Sequence, residues 1–591
     1  MVSRGRIADH AFLSDCATAA LVDRAGSVEW WCAPRFDSPS LFGRLLDPDA
    51  GHWSLRPAAD STTRREYEAD SLVLRTVHST AAGEVAVTDA LAFEAGARGH
   101  DIGLRSPRTL IRRVEGLRGT VRMETEVAPR PEYGRTEPHW RTVEGGVEAR
   151  GGPVTLTCEG AVDWTLAAGT ARAAFAVAAG ETVELRLTAD PSFPTSATAA
   201  PERPGIADTV AGWRSWTADH TSYDGAYPEE VRRSSIVLRG LTFAPSGAVI
   251  AAATTSLPET PGGGDNWDYR FAWLRDLSVT ARALWFATCP SEPRRLLDWV
   301  GTATGHIRDE PVQIVYGVGG ERDLTERTLD HLDGFGGSRP VRIGNDAYRQ
   351  VQLDVLGEVL DAAFLLRDTA EVFTPAVRDL LVALADRAAD TWADPDAGMW
   401  EARDATRHYT SSKVMCWVAL DRAVALAPQL GDAADPERWA AAREKVHAAV
   451  LEQAWSQRAG AYAGAFGSDE LDASVLVLPL VGFLPMTDPR MAATVEVIAD
   501  RLGDRGLVRR WGADGSGFLI CTYWLVQCLA MAGQADRADA LFRLTTGHGN
   551  DLGLLAEEAD PDTGAALGNV PQAFSHVGLI NAAWRLAHPG P

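Results

Sequence analysis

Over roughly the first two hundred residues, apolar side chains fall in short runs that alternate with polar ones and break at turn residues about every ten positions. AALVDRAGSVEWWCAP (19–34, turning at Ala25-Gly26), SLVLRTVHSTAAGEVAVTDALAF (71–93) and TLIRRVEGLRGTVRMETEVAP (109–129) are followed by GPVTLTCEG, VDWTLAAG and ETVELRLTA. This period predicts antiparallel strands in a β-sandwich. A Pro- and Ala-rich connector, FPTSATAAPERPG, then leads to a predicted bridging helix containing Trp213 and Trp216. From Val231 the period becomes helical and stays so to the end. Helices are predicted at 231–243, 276–289, 291–307, 348–367, 374–391, 408–426, 436–454, 471–483, 488–503, 517–533, 535–547 and 571–587. The division is therefore 1–200 sandwich, 201–230 linker with bridging helix, and 231–591 helical domain. The wholly apolar segments LDASVLVLPLVGFL and FLICTYWLVQCLA suit inner positions and the Arg/Asp-rich ones outer positions. A closed double ring of helices would place its loops around a central pit.

Length supports two large domains, because 591 residues exceed the roughly 250–300 at which a single core stops growing. A composition 46% apolar and 23% charged is that of a folded chain. The net charge of −23, without a long basic run, repels nucleic acid and anionic membranes but leaves a neutral sugar unpenalised. The seven cysteines (Cys16, Cys32, Cys158, Cys289, Cys416, Cys521, Cys528) form no CxxC or Cys/His cluster, so no metal is expected. No signal-like or membrane-length apolar stretch is evident, which predicts a cytoplasmic enzyme meeting small molecules. A homo-oligomer is compatible with this composition, which does not specify one.

Glycosidic cleavage needs one carboxylic acid to protonate the leaving oxygen and a second carboxylate to activate water or attack the sugar. Three places stand out among 80 Asp and Glu residues. Glu401 follows Trp400 in the loop DAGMWEARD, where partial desolvation beside an indole favours a protonated carboxyl. Glu557 and Glu558 are adjacent at a helix-to-loop edge, so one could face the pit and the other solvent. GGGDNWDYRFAWLRD (262–276) interleaves Asp265, Asp268, Arg270, Arg275 and Asp276 with Trp267, Tyr269, Phe271 and Trp273. Charged groups bind hydroxyls in pairs and rings cover apolar sugar faces.

These residues resemble glycoside hydrolase family 15, which contains glucoamylases, glucodextranases and bacterial trehalases. The likeness runs in family order through residues 7–47, NWDYRFAWLRD, GNDAYRQVQLDVLGEVLDA (344–362), GMWEAR (398–403), FLICTYWLV (518–526), LLAEEADPDTG (554–564) and GNVPQAFSHVGLINAA (568–583). It implies a β + α fold, an N-terminal antiparallel β-sandwich (supersandwich) followed by an (α/α)6 barrel. The implied activity is inverting hydrolysis of small α-glucosides from the non-reducing end, with release of β-glucose and no cofactor. Trehalose is the first substrate expected; short α-1,4 or α-1,6 glucosides are the alternative, and a sugar phosphorylase on a similar scaffold the more distant one. Carried over by motif, Glu401 is the general acid and Glu557 the general base. Arg275 and Asp276 grip glucose hydroxyls, Tyr269 lies near the attacking water, Trp273 and Trp400 are aromatic walls, and Glu558 assists binding. Gly515-Ser516-Gly517 departs from the acidic residue many members carry there. The sequence leaves open whether the sandwich lends a loop to the pit, with Phe36 and Asp37 in RFDSPS the residues to inspect.

Overall fold

The structure is a computed structural model that describes residues 5–193, 203–219, 223–287, 291–305, 311–368 and 373–590. Fifteen strands form one continuous antiparallel network in the N-terminal half. Its hinge is the 20-residue strand Thr109–Ala128. The first part of this strand pairs with Gly83–Leu91 and Thr182–Pro191, the last part with His52–Pro57 and Thr170–Ala178. One chain thus runs through both layers. The crossover falls at Gly116 and Gly119, where a Cβ on Gly116 would lie 2.0 Å from the Ala178 carbonyl and Gly119 has φ +68. Trp30 is buried against the helical domain, and Trp31, on the opposite face of the same strand, is fully buried in the sandwich with Trp53. Arg112 is buried there too, paired with Asp89 (2.8 Å) and donating to the Trp53 and Gly26 carbonyls.

Helix Ile206–Ala218 packs on the sandwich, with Trp213 5.0 Å from Phe93, ring to ring. Twelve helical segments follow among the described residues, alternating outer and inner. The inner six are Leu274–Ala287, Asp354–Leu365, Thr410–Leu430, the short pair Ala473–Leu476 and Val477–Leu480, Leu519–Met531, and Ala573–Ala587. Each packs against the next and the last against the first, so the ring is closed. Helix Leu519–Met531 is buried along nearly its whole length, as its uniformly apolar sequence predicts. Among the described residues no helix is long and apolar enough to cross a membrane.

Several predicted helices change at their ends for local reasons. The segment predicted at 348–367 begins as a 3-10 turn, Asp346–Arg349, capped by the Asn345 side chain; helix starts only at Asp354, because the Leu353 N–H is taken by Asp396 (2.9 Å). The fourth inner element is two single turns rather than the helix predicted over 471–483. Pro479 offers no N–H to continue it and Gly482 turns the chain away at φ +78. Helix 517–533 starts two residues late because Gly517 and Phe518 pair as a strand with Glu558–Ala559. Residues 288–290, and with them Cys289, lie outside the described residues, as does most of the connector.

The two halves share one apolar core. Trp30 donates its indole N–H to the Ala253 carbonyl (2.9 Å) and Ser14 its hydroxyl to that of Gly240 (2.7 Å). Phe36 packs on Phe243, and Asp37 accepts from Arg35 and from the Val318 N–H. Both buttress the barrel loops; neither lines the pit described next.

Candidate active site

A cavity of about 350 Å³ is lined almost entirely by the segments that lead into the N-termini of four inner helices. Those ends carry a partial positive charge and tolerate the carboxylates gathered there. The cavity collects Tyr269, Trp273, Arg275, Asp276, Trp400, Glu401 and Glu557. It does not collect Glu558.

Glu401 occupies the left-handed region at φ 61, uncommon for a residue with a Cβ and a form of strain that gathers at functional sites. Its turn is held by its own N–H on the Gly398 carbonyl, by the Ala402 N–H on Ala397, and by the Gln350 amide on the carbonyls of Glu401 and Ala402. Gly398 must be glycine: φ is +70 and a Cβ would strike the Tyr409 ring at 2.7 Å. Two donors, Trp273 Nε1 (2.6 Å) and Arg275 Nη2 (3.1 Å), meet on one carboxylate oxygen, Oε1. Arg275 is itself fixed by Gln352 (2.7 Å) and Asp354 (3.0 Å). Asp276 lies beside it, 3.9 Å from its Nε. Burial pushes the Asp276 carboxyl up to about 7 despite Arg275, and the charges of Glu401 and Asp354 push the same way.

Glu557 is buried, with Oε2 lacking any partner. Tyr269 lines the same cavity, and its ring meets Trp273 edge-on at 5.6 Å. The side chain rests on Gly568 (φ +71), where a Cβ would come 2.5 Å from Oε2. Burial first, then the charges of Glu259 and Glu558, hold Glu557 well above the usual carboxylate range.

Glu558 is as buried as its neighbour instead of facing solvent. Strand pairing turns it to the opposite side, where it accepts from the Ser516 hydroxyl and lies 3.2 Å from Arg510. Burial pushes it up to about 8, against the pull of Arg510. Trp400 donates to Asp472 (2.9 Å) and stands among Trp511, Phe518 and Trp524, completing an aromatic wall.

Sequence reasoning missed Glu259 and Arg510. Arg510 holds Glu259 (2.6 Å) and Asp514 (3.0 Å) at the cavity wall. The nearby Pro258–Glu259 and Arg509–Arg510 carry no local pattern that separates them from surface charges. Within the motif at 262–276, Asp268 and Arg270 turn away and pair with each other (2.6 Å); Arg270 then donates to the Ser38 carbonyl and the Tyr133 hydroxyl of the sandwich. Trp267 forms part of the cavity rim, with the Arg403 guanidinium 3.9 Å above its ring. Gln352 acts through Arg275, and His576 is a core residue bonded to Ser234 and the Leu555 N–H. Among the described residues no group of three or more His, Cys, Asp or Glu could hold a metal ion.

Carboxyl groups thus gather among aromatic rings in a pit at the end of a closed double ring of helices. Residues 225–584 match the model for glycosyl hydrolases family 15, and residues 3–208 that for a trehalase-like N-terminal domain. The chain belongs to glycosyl hydrolases family 15. The trehalase of Mycolicibacterium smegmatis is 39% identical over 98% of this chain and 90% of its own length. Trehalase 1 of Sulfolobus acidocaldarius is 31% identical over 97% of each chain. A crystal structure of a bacterial glucoamylase complexed with acarbose superposes with a TM-score of 0.73, at 12% identity, over 100% of this chain and 95% of that one; it shares the fold.

Proposed function

We propose that this enzyme hydrolyses small α-glucosides from the non-reducing end with inversion, and that α,α-trehalose is its principal substrate. The observation that carries the reading is the unequal wiring of two carboxyl groups in one cavity. Glu401 has one oxygen occupied by two donors, while Glu557 is buried with one oxygen unpartnered. On Glu401, Oε1 is taken by Trp273 and Arg275, which leaves Oε2 to carry a proton and give it to the glycosidic oxygen as the C1–O bond breaks. The free Oε2 of Glu557 takes a proton from water as that water's oxygen bonds to C1 from the opposite face, with Tyr269 beside that water. Asp276 accepts a glucose hydroxyl, and Trp400 and Trp273 cover the apolar sugar faces.

Trehalose is favoured over other α-glucosides by the names of the relatives aligned along nearly the whole chain. The catalytic unit on this reading is 231–591, joined through 201–230 to the sandwich of 1–200. Six buried free thiols among the described residues suit a reducing compartment such as the cytoplasm.

The test is a substrate screen with the product anomers followed by NMR. Inversion on trehalose must give β- and α-glucose in equal amounts at early times, one from the attacked ring and one from the leaving ring. Early product that is α-glucose alone rules inversion out, and preference for maltose or isomaltose transfers the enzyme to those linkages.

A further inference from the structure

Glu259 lies in the segment that precedes the 262–276 motif and is 5% exposed, yet it lines the same cavity as Glu401 and Glu557. One of its oxygens, Oε2, takes a guanidinium N–H of Arg510 at 2.6 Å; the other, Oε1, is buried with no partner. A buried, unpartnered carboxylate oxygen is costly unless something else satisfies it. Pro258 is tied through its carbonyl to the N–H of Gly568 (2.8 Å), the residue on which Glu557 rests, so Glu259 and Glu557 are held on one rigid framework. Arg510 is fixed by Glu259, Asp514 and Glu558 and backed by the rings of Trp511 and Phe518.

We propose that Glu259 contacts the substrate, its free oxygen accepting a hydroxyl of the bound glucoside beside the Arg510 guanidinium that it orders. A carboxylate and a guanidinium fixed side by side match adjacent hydroxyls of a pyranose, one donating and the other accepting. The assignment rests on the α-glucoside reading of the pocket and adds to it a residue that selects for a hydroxyl at one ring position. A second effect follows from position. The groups facing Glu259 are Arg510, Asp265, Asp514, Glu557 and Glu558, and its negative charge opposes ionisation of Glu557.

The experiment compares wild type with Glu259→Gln on α-glucosyl fluoride and its 2-, 3-, 4- and 6-deoxy analogues, and measures glucose binding to both proteins by calorimetry. In wild type, removing the hydroxyl that Glu259 accepts should cost about tenfold or more in kcat/KM, the scale of a hydrogen bond to a charged group. In the variant that one penalty should largely vanish, glucose should bind about tenfold more weakly, and the acidic limb of the kcat/KM profile should move to lower pH. A wild-type panel with no hydroxyl of this weight overturns the assignment without any variant, as does a variant that keeps every penalty. If the Gln variant does not fold, Glu259→Asp serves: it should lose glucose affinity while leaving the acidic limb in place, and unchanged affinity overturns the assignment. A wild type that binds glucose but hydrolyses no α-glucoside breaks the functional reading instead, and equal glucose affinity in the two proteins breaks only this one.

Discussion

Trp273 donates its indole N–H to Glu401 across 2.6 Å, joining residues 128 positions apart. The strained loop of Glu401 fixes where its backbone goes, but Trp273 and Arg275 fix which carboxylate oxygen is left free. Trp273→Phe keeps the ring and removes the donor. It should lower kcat on trehalose by about tenfold with little change in KM, the signature of losing an interaction felt at the transition state. Steady-state kinetics decide this, and an equal rise in KM would make Trp273 a binding wall only.

Glu401→Gln and Glu557→Gln should each reduce turnover of trehalose by about 10²–10⁴-fold while circular dichroism stays unchanged. They should separate on α-glucosyl fluoride, whose leaving group needs little protonation. Glu401→Gln should recover much of its rate there and Glu557→Gln should not. The reverse pattern would exchange the two roles.

Gly568→Ala should place a methyl group where the Glu557 side chain now rests, in a left-handed backbone that disfavours it. Because a shift of about 1 Å can cost on the order of 100-fold, kcat should fall about that far while glucose still binds. Near wild-type turnover would mean that Glu557 does not need this seat.

The pH profile should reveal the crowding around Glu557. A base must be ionised to work, and burial together with Glu259 and Glu558 raises the pH at which this one ionises. The acidic limb of kcat/KM should therefore lie above the ordinary carboxylate value of about 4.3. Glu558→Gln, which removes one of these neighbouring charges, should move the limb down by roughly a unit.

Glu358 offers a stability test away from the cavity. Burial, aided by the charges of Asp354 and Asp361, pushes its carboxyl up to about 8. The folded protein thus holds a proton there that the unfolded chain releases, and the stability this contributes is lost as pH climbs from the ordinary carboxylate range to about 8. A neutral side chain escapes the loss. The stability gap between Glu358→Gln and wild type should widen between pH 5 and 8, by at most about 1.4 kcal/mol per pH unit, and level off above. Thermal melts across that range measure it.

The helical ring was legible because its period persists over long segments, and the sandwich because turns recur in it. Breaks such as Asp346–Arg349 and Ala473–Leu480 were not, since they follow from a single capping Asn, one proline and a distant Asp396. At the site, Trp400–Glu401 and Glu557 could be picked out through family motifs. That Glu558 turns inward could not be seen, because its direction comes from pairing with Gly517–Phe518, 40 positions earlier in the register Phe518↔Glu558. Glu259 and Arg510 escaped for the same reason: charges are chosen by what folds against them, and sequence shows only that they are charged.

The ring closes when helix Ala573–Ala587 docks between Leu519–Met531 and Leu274–Ala287. The pit is therefore incomplete until that helix, with Gln572 and Phe574 at its start, is in place. A chain that carries Glu401, Trp273 and Arg275 but stops shortly before residue 573 should hold an open ring and none of the chemistry.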